Sequence, residues 1–228
     1  MITLSPRLAA AAAMCRRGGV VCDVGTDHAQ LACFLAQNGA ASVIASDVRE
    51  GPLEAARRTI AGCQTENVTA VLSDGLDKIG YADDVVICGM GGELIMQIIR
   101  GCRFLSENTR FILQPMTKAE LLRRELYADG FEITEERTAR EGERLYTVML
   151  VKYTGVRRET DELFCLCGKI TDPEMLRSIA VKLKKNAAGM ERSDAFPQRA
   201  QQLRDLARQI DERARDFTLT EVQHGSKG

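Results

Sequence analysis

An open α/β sheet followed by a helical hairpin is the fold this sequence predicts, and three observations carry it. From Val20 to Tyr153, short β-branched runs alternate with amphipathic stretches of helical length, the pattern of a mostly parallel sheet whose strands are joined by helices. The last two runs leave no room for a helix between them, so the sheet ends in an antiparallel strand. After Thr154–Gly155 the strand-like runs stop, and apolar residues recur only at helical spacings of three and four.

Taken in order, Ser5 caps a helix with Pro6 at its first position, running through the alanines to about Cys15 before Gly18 and Gly19 break it. Five strands are predicted at Val20–Val24, Ser42–Asp47, Val68–Ser73, Asp84–Cys88 and Arg110–Leu113. Helices are predicted at Gln30–Gln37, Pro52–Gln64, Gly92–Arg103 and Lys118–Asp129. Phe131–Glu136 and Leu145–Tyr153 form the closing hairpin, because 137–144 is polar and contains Gly142.

In the tail, Asp172–Pro173 opens a helix carrying Leu176, Ile179 and Leu183. After a break at Ser193–Asp194, a second helix carries Leu203, Leu206, Ile210, Ala214 and Phe217. Two such stripes predict an antiparallel hairpin with coiled-coil-like packing. The expected domains are 1–155, a Rossmann-like sheet, and 156–228, the helical hairpin.

Composition bounds the function. With 228 residues, 45% hydrophobic and 28% charged, the chain is long enough for a large core, which excludes disorder as its main state. No run approaches the roughly 18 apolar residues of a membrane span. The alanines after Arg7 and before Arg16 and Arg17 are too short and too weakly apolar for a secretory signal. Most of the eight cysteines, Cys22, Cys33 and Cys88 among them, fall inside apolar runs, which points to reduced thiols and a cytoplasmic protein. Cys165-x-Cys167 has no second pair at zinc spacing, so no metal is expected. Lys plus Arg number 31 against 32 Asp plus Glu, so an RNA substrate would require basic residues segregated onto one face.

Ligands of open parallel sheets bind outside the carboxyl ends of the strands, near the point where strand order reverses. That singles out 21–28, where a strand runs through Gly25 into Asp27 and His28. A dinucleotide fingerprint fails here, since Asp27 and Gln30 stand where it needs glycine, and Asp27 would repel a pyrophosphate. Asp47, about twenty residues on, is placed to accept both hydroxyls of a ribose. Asp74–Gly75 at the third strand end can reach an adenine edge. Acidic strand ends at Asp23 or Asp27, Asp47 and Asp74, with no phosphate loop, describe a nucleoside with a cationic amino-acid tail: S-adenosylmethionine. Each aspartate alone has a plainer reading as a helix N-cap. Their recurrence at three successive strand ends is harder to obtain by capping alone, and seven strands ending in a hairpin resemble the class I methyltransferase sheet.

Cys88-Gly89-Met90-Gly91-Gly92 closes the fourth strand, where that class places the segment facing the transferred methyl group. The Asn or Asp followed by two prolines and an aromatic, frequent there in amino-methylating members, is absent. The glycines let backbone approach a ligand, the plainer reading being a tight strand-to-helix turn. Gln114–Pro115 ends the fifth strand and is expected to touch cofactor or acceptor.

Together, the run from Asp23 to Ala29, Gly51–Pro52, Asp74–Gly75, the Ile87–Gly92 loop, Leu113-Gln114-Pro115 and the trailing hairpin resemble the bacterial tRNA (adenine-N1)-methyltransferases that modify adenosine 22. The resemblance implies methyl transfer from S-adenosylmethionine to adenine N1, with the tail gripping tRNA. Asp23, Gly25, Asp47, Val48, Asp74, Gly75, Gly89, Met90 and Gly91 are then cofactor-binding. Arg7, Gly92, Gln114 and Pro115 are substrate-binding, and Asp27 and His28 are catalytic. Arg16, Arg17, Lys182, Lys184, Lys185, Arg192, Arg199, Arg204 and Arg208 are candidate phosphate contacts, each with a plainer reading as a solvated helix face.

The expected chemistry is in-line attack of neutral adenine N1 on the sulfonium methyl, for which alignment matters more than a strong base. Asp27 would accept a hydrogen bond from the exocyclic amino group and offset charge developing on the ring. Two alternatives share parts of this reading: a class I methyltransferase acting on a small molecule or protein, and a non-catalytic RNA-binding module.

Overall fold

The seven predicted strands pair into one sheet, in a computed structural model that describes residues 2–192 and 196–225, the last six of these by their backbone alone. The Ser193–Asp194 break and the side chain of His224 lie outside the described residues. The strands are β1 (Val20–Val24), β2 (Ser42–Asp47), β3 (Val68–Leu72), β4 (Asp84–Gly91), β5 (Arg110–Thr117), β6 (Phe131–Glu141) and β7 (Arg144–Tyr153). Their order is β3-β2-β1-β4-β5-β7-β6. The first five run parallel, while β7 enters antiparallel between β5 and β6. Strand order reverses between β1 and β4, which places the ligand crevice there.

The connecting helices are α1 (Pro6–Ala12), α2 (Gln30–Gln37), α3 (Glu50–Cys63), α4 (Gly92–Arg100) and α5 (Ala119–Ala128). Val21, Val43, Val86, Ile112 and Val148, one from each of five strands, are buried in a core completed by Leu31, Ala32 and Leu35 of α2. Each fully buried aliphatic side chain of this kind contributes about 1.5 to 3 kcal/mol. Beside the apolar core, the fully buried Asp84 carboxylate is held by Arg110 at 2.7 and 2.8 Å and by Arg16 through Nε at 3.0 Å and its backbone N–H at 2.6 Å. Arg16 is therefore a clasp on the sheet. Its backbone anchor also draws the chain off the helical path, which is why α1 stops at Ala12 short of Cys15.

Strand ends depart most from expectation. β4 continues through Gly91, because a bulge after Cys88 absorbs Gly89 at φ 81° before pairing resumes at Met90 with Pro115 and Gly91 with Thr117. Gln114 and Pro115 consequently lie inside β5 and not at its end. β6 and β7 run out to Glu141 and Arg144, so the polar stretch taken for a loop is a solvated extension of the hairpin. α3 begins at Glu50, α4 ends at Arg100 and α5 spans Ala119–Ala128, each within a few residues of its predicted bounds.

The chain divides into two compact units between Thr160 and Asp161, later than the change of composition. Thr154 and Gly155 both donate backbone N–H groups to the Gly130 carbonyl, and Arg158 N–H donates to Tyr127, which ties this stretch to the first unit. The second unit holds a helix the periodicity did not show, α6 (Glu162–Cys167), too short to display a stripe and capped by Asp161 Oδ1 accepting from Phe164 N–H at 2.6 Å. Cys165 and Cys167 are buried there, and among the described residues no group of three His, Cys, Asp or Glu is arranged to hold a metal.

The other two helices are α7 (Pro173–Arg192), whose start is capped by Asp172, and α8 (Pro197–Gly225). Leu176, Ala180, Leu183 and Ala187, spaced four, three and four, are buried with Ala200, Leu203, Ala207, Ile210 and Ala214. The spacing is that of a coiled-coil seam, and its alanines let the two helices approach closely. Among the described residues, no helix is long and apolar enough to cross a membrane.

Candidate active site

A cavity of about 450 Å³ opens over the ends of β1, β2, β3 and β4, where strand order reverses. Its first wall is the turn after β1. Gly25 and Thr26 donate their N–H groups to the Ser46 carbonyl at 2.8 and 2.9 Å, holding that turn against β2. Gly25 has φ 73°, a conformation that favours glycine, and a Cβ there would stand 2.3 Å from Met90 Cε, so the methionine tip packs directly on the turn.

Asp23 lies beneath the turn, buried, accepting the Thr26 hydroxyl at 2.6 Å, and is not among the cavity-lining residues. Burial, with the nearby Asp47 charge acting in the same direction against the Thr26 bond, pushes its carboxyl up to about 6.

Asp27 does line the cavity, with its side chain 70% exposed and its backbone left-handed at φ 51°. It does not cap α2, whose N-cap is Ala29 with no side-chain bond. A non-glycine residue held in this region carries strain of the kind that gathers at working sites. His28, 60% exposed, places Nε2 3.6 Å from Asp27 Oδ2.

The second wall comes from β2 and the loop after β3. Asp47 is buried at the cavity edge, and Oδ1 accepts the Arg49 N–H at 2.9 Å. Asp74 lines the cavity with Gly75, while local capping falls to Ser73, whose hydroxyl accepts from Lys78 N–H and donates to the Gly75 carbonyl. Val48 and Leu94 present exposed apolar surface to the same space, with Ile98 and Met90. Three carboxylates against the single guanidinium of Arg49 disfavour a phosphate and favour a ligand that is cationic or neutral.

Gly89 and Met90 complete the lining from the bulge in β4. Gly91 is the N-cap position of α4. Gly91, expected to bind cofactor, lies outside the cavity lining, as do Gly92, Gln114, Pro115 and Arg7. Gly92 is buried, with a notional Cβ only 2.5 Å from the Lys118 carbonyl, which lets α4 press on the start of α5. Gln114 is fully buried and Pro115 is buried beside it. Arg7 is half-buried and bonded to Gln114 and Glu141.

Leu94, Ile98, Arg49 and Ser73 were not predicted for the site. Leu94 had a legible signal, since α4 carries more apolar residues than one core-facing stripe can use.

A seven-stranded sheet closing in an antiparallel hairpin, with an acidic cavity and no phosphate loop at its switch point, defines a class I methyltransferase. The methyltransferase-domain family profile matches residues 4–149. The chain is 30% identical to the tRNA (adenine(22)-N(1))-methyltransferase of Bacillus subtilis over 90% of its length and 88% of the relative's. The crystal structure of the B. subtilis tRNA methyltransferase TrmK superposes with a TM-score of 0.75 at 25% identity, covering 95% of this chain and 99% of that one. A Streptococcus pneumoniae protein solved with S-adenosyl-L-methionine gives 0.74 at 27% identity, covering 93% and 100%. This chain belongs to the tRNA (adenine(22)-N(1))-methyltransferase family.

Proposed function

We propose that this enzyme transfers a methyl group from S-adenosylmethionine to N1 of adenosine 22 in tRNA. The observation that carries the reading is the acidic cavity itself, in which Asp27, Asp47 and Asp74 face one space with apolar Val48 and Leu94 between them. The residues fit the cofactor: carboxylates for ribose hydroxyls, an adenine amino group and a cationic tail, apolar surface for a purine face, and glycine at close approach.

When bound, S-adenosylmethionine supplies a sulfonium-activated methyl open to in-line displacement by adenine N1. Asp47 would hold the ribose hydroxyls, Asp74 the polar edge of the adenine, and Val48 and Leu94 would offer it apolar surface. Asp27, exposed in the cavity and capping nothing, accepts a hydrogen bond from the amino group of the target adenine and offsets positive charge developing on its ring. His28 supports Asp27 from 3.6 Å. The target base must leave its stack to present N1, and the second unit grips the rest of the tRNA. A cytoplasmic setting follows from that substrate and agrees with cysteines buried in the apolar core, Cys22 and Cys33 among them.

The test is incubation with labelled cofactor and unmodified tRNA, followed by digestion. Label in 1-methyladenosine at position 22 is expected. Label in another nucleoside, or only in a protein or small-molecule acceptor, overturns the reading.

A further inference from the structure

Gln114 is fully buried at the end of an apolar run on β5, where an unsatisfied carboxamide would cost several kcal/mol. Its bonds explain its presence. Oε1 accepts from the Gly89 N–H at 3.1 Å and from Arg7 Nη1 at 3.1 Å, while Nε2 donates to the Pro115 carbonyl at 3.1 Å. The ladder between β4 and β5 passes from Cys88–Gln114 to Met90–Pro115, so Gly89 has no partner in it. The carboxamide supplies the bond that the bulge removes.

Arg7 is itself fixed. Its backbone N–H donates to Glu141 Oε1 at 3.2 Å and its Nε stands 3.4 Å from the same oxygen. Three separate segments, the first turn of α1, the middle of β5 and the far end of β6, thus converge on one glycine. The residue after that glycine is Met90, which lines the cavity and packs against the turn at Gly25.

We propose that Gln114 is a positioning residue for methyl transfer, which with Arg7 holds the Gly89 bulge and so sets Met90 in the cavity wall. It touches neither cofactor nor acceptor and acts through the backbone of Gly89. The proposal rests on the methyltransferase reading above.

Two variants separate positioning from simple structure. Gln114→Met keeps the buried volume without the acceptor oxygen, and Gln114→Glu keeps an acceptor for Gly89 and Arg7. The expected result is a single-turnover methylation rate at least about tenfold lower in Gln114→Met, at saturating cofactor and tRNA, with most of the rate recovered in Gln114→Glu. Hydrogen-exchange protection of the Gly89 amide should be lost in the first and kept in the second. Because the residues act as a unit, Arg7→Met combined with Gln114→Met should be no slower than Gln114→Met alone within about twofold.

A full rate in Gln114→Met, or multiplicative losses in the double variant, overturns the proposal. So does an unprotected Gly89 amide in the parent. A parent that leaves tRNA unmethylated while showing the exchange pattern supports the hold on Gly89 and overturns instead the reading on which its catalytic role rests.

Discussion

Asp27 carries the sharpest consequence at the scale of single residues, because capping and chemistry make opposite demands on it. Asn is as good a cap as Asp and adopts the left-handed region as readily, so Asp27→Asn would be silent if the residue only turned the chain. With Ala29, not Asp27, at the N-cap of α2 and the carboxylate exposed in the cavity, the expected outcome is near-normal cofactor affinity and a single-turnover rate lower by on the order of a hundredfold. Calorimetry beside rapid-quench methylation checks both halves. Asp23 makes a different prediction, about pH. Its carboxyl is raised to about 6 from an ordinary value of 3.8, so it contributes stability that is fully present below pH 4 and is lost as pH rises through 6. Asp23→Asn removes that dependence while keeping an acceptor for Thr26. Its stability relative to the parent should therefore improve by on the order of 2 kcal/mol between pH 4 and 7, read from urea unfolding of the ligand-free protein at several pH values.

Among the elements, β4 and β5 do two jobs at their two ends. At the amino end Asp84 joins Arg110 of β5 to Arg16 before β1 with one buried carboxylate. Removing it leaves Arg110, 16% exposed, without its carboxylate, while Arg16 at 36% keeps contact with water, and breaking such a largely buried pair costs about 3 kcal/mol. Asp84→Ala is expected to lower the unfolding free energy by that amount, read as a lower urea midpoint at unchanged slope, and a loss under about 1 kcal/mol would mean that water solvates both arginines in its absence. At the carboxyl end the same two strands carry the Gly89 bulge and the Gln114 carboxamide. The rigid, doubly bonded amino end gives the working end a fixed register, since a bulge has meaning only relative to a ladder that does not slip.

For the whole molecule, a tRNA substrate sets a polyanion against a chain of net charge −1, and on the proposed grip by the second unit, ion pairing inside that unit narrows which cations are left to make it. Arg199 pairs with Glu162, Lys184 with Asp211, Arg204 with Glu191 and Arg208 with Asp205. Lys182, Lys185 and Arg192 are exposed on α7 at spacings that share one face, with no ion pair among the described residues. Replacing all three by Gln is expected to weaken tRNA binding and to lower the slope of log affinity against log salt by about one for each phosphate no longer neutralised, with cofactor affinity unchanged. A salt titration of tRNA binding decides it, an unaltered slope assigning the grip elsewhere.

The sequence by itself determined the succession of strands and helices, the closing hairpin, the seam of the tail and the aspartates near the strand ends, because each is written in periodicity or position within one local segment. It also placed Gly25 in the turn after the first strand. The bulge at Gly89, the burial of Gln114, the clasp of Arg16 on Asp84 and the sinking of Asp23 beneath the cavity floor were decided only by the tertiary structure. Arg16 and Asp84 stand 68 positions apart, and Gln114 stands 25 from Gly89. Pairing at that range depends on how strands register across the sheet, which no local pattern of apolar and polar residues records.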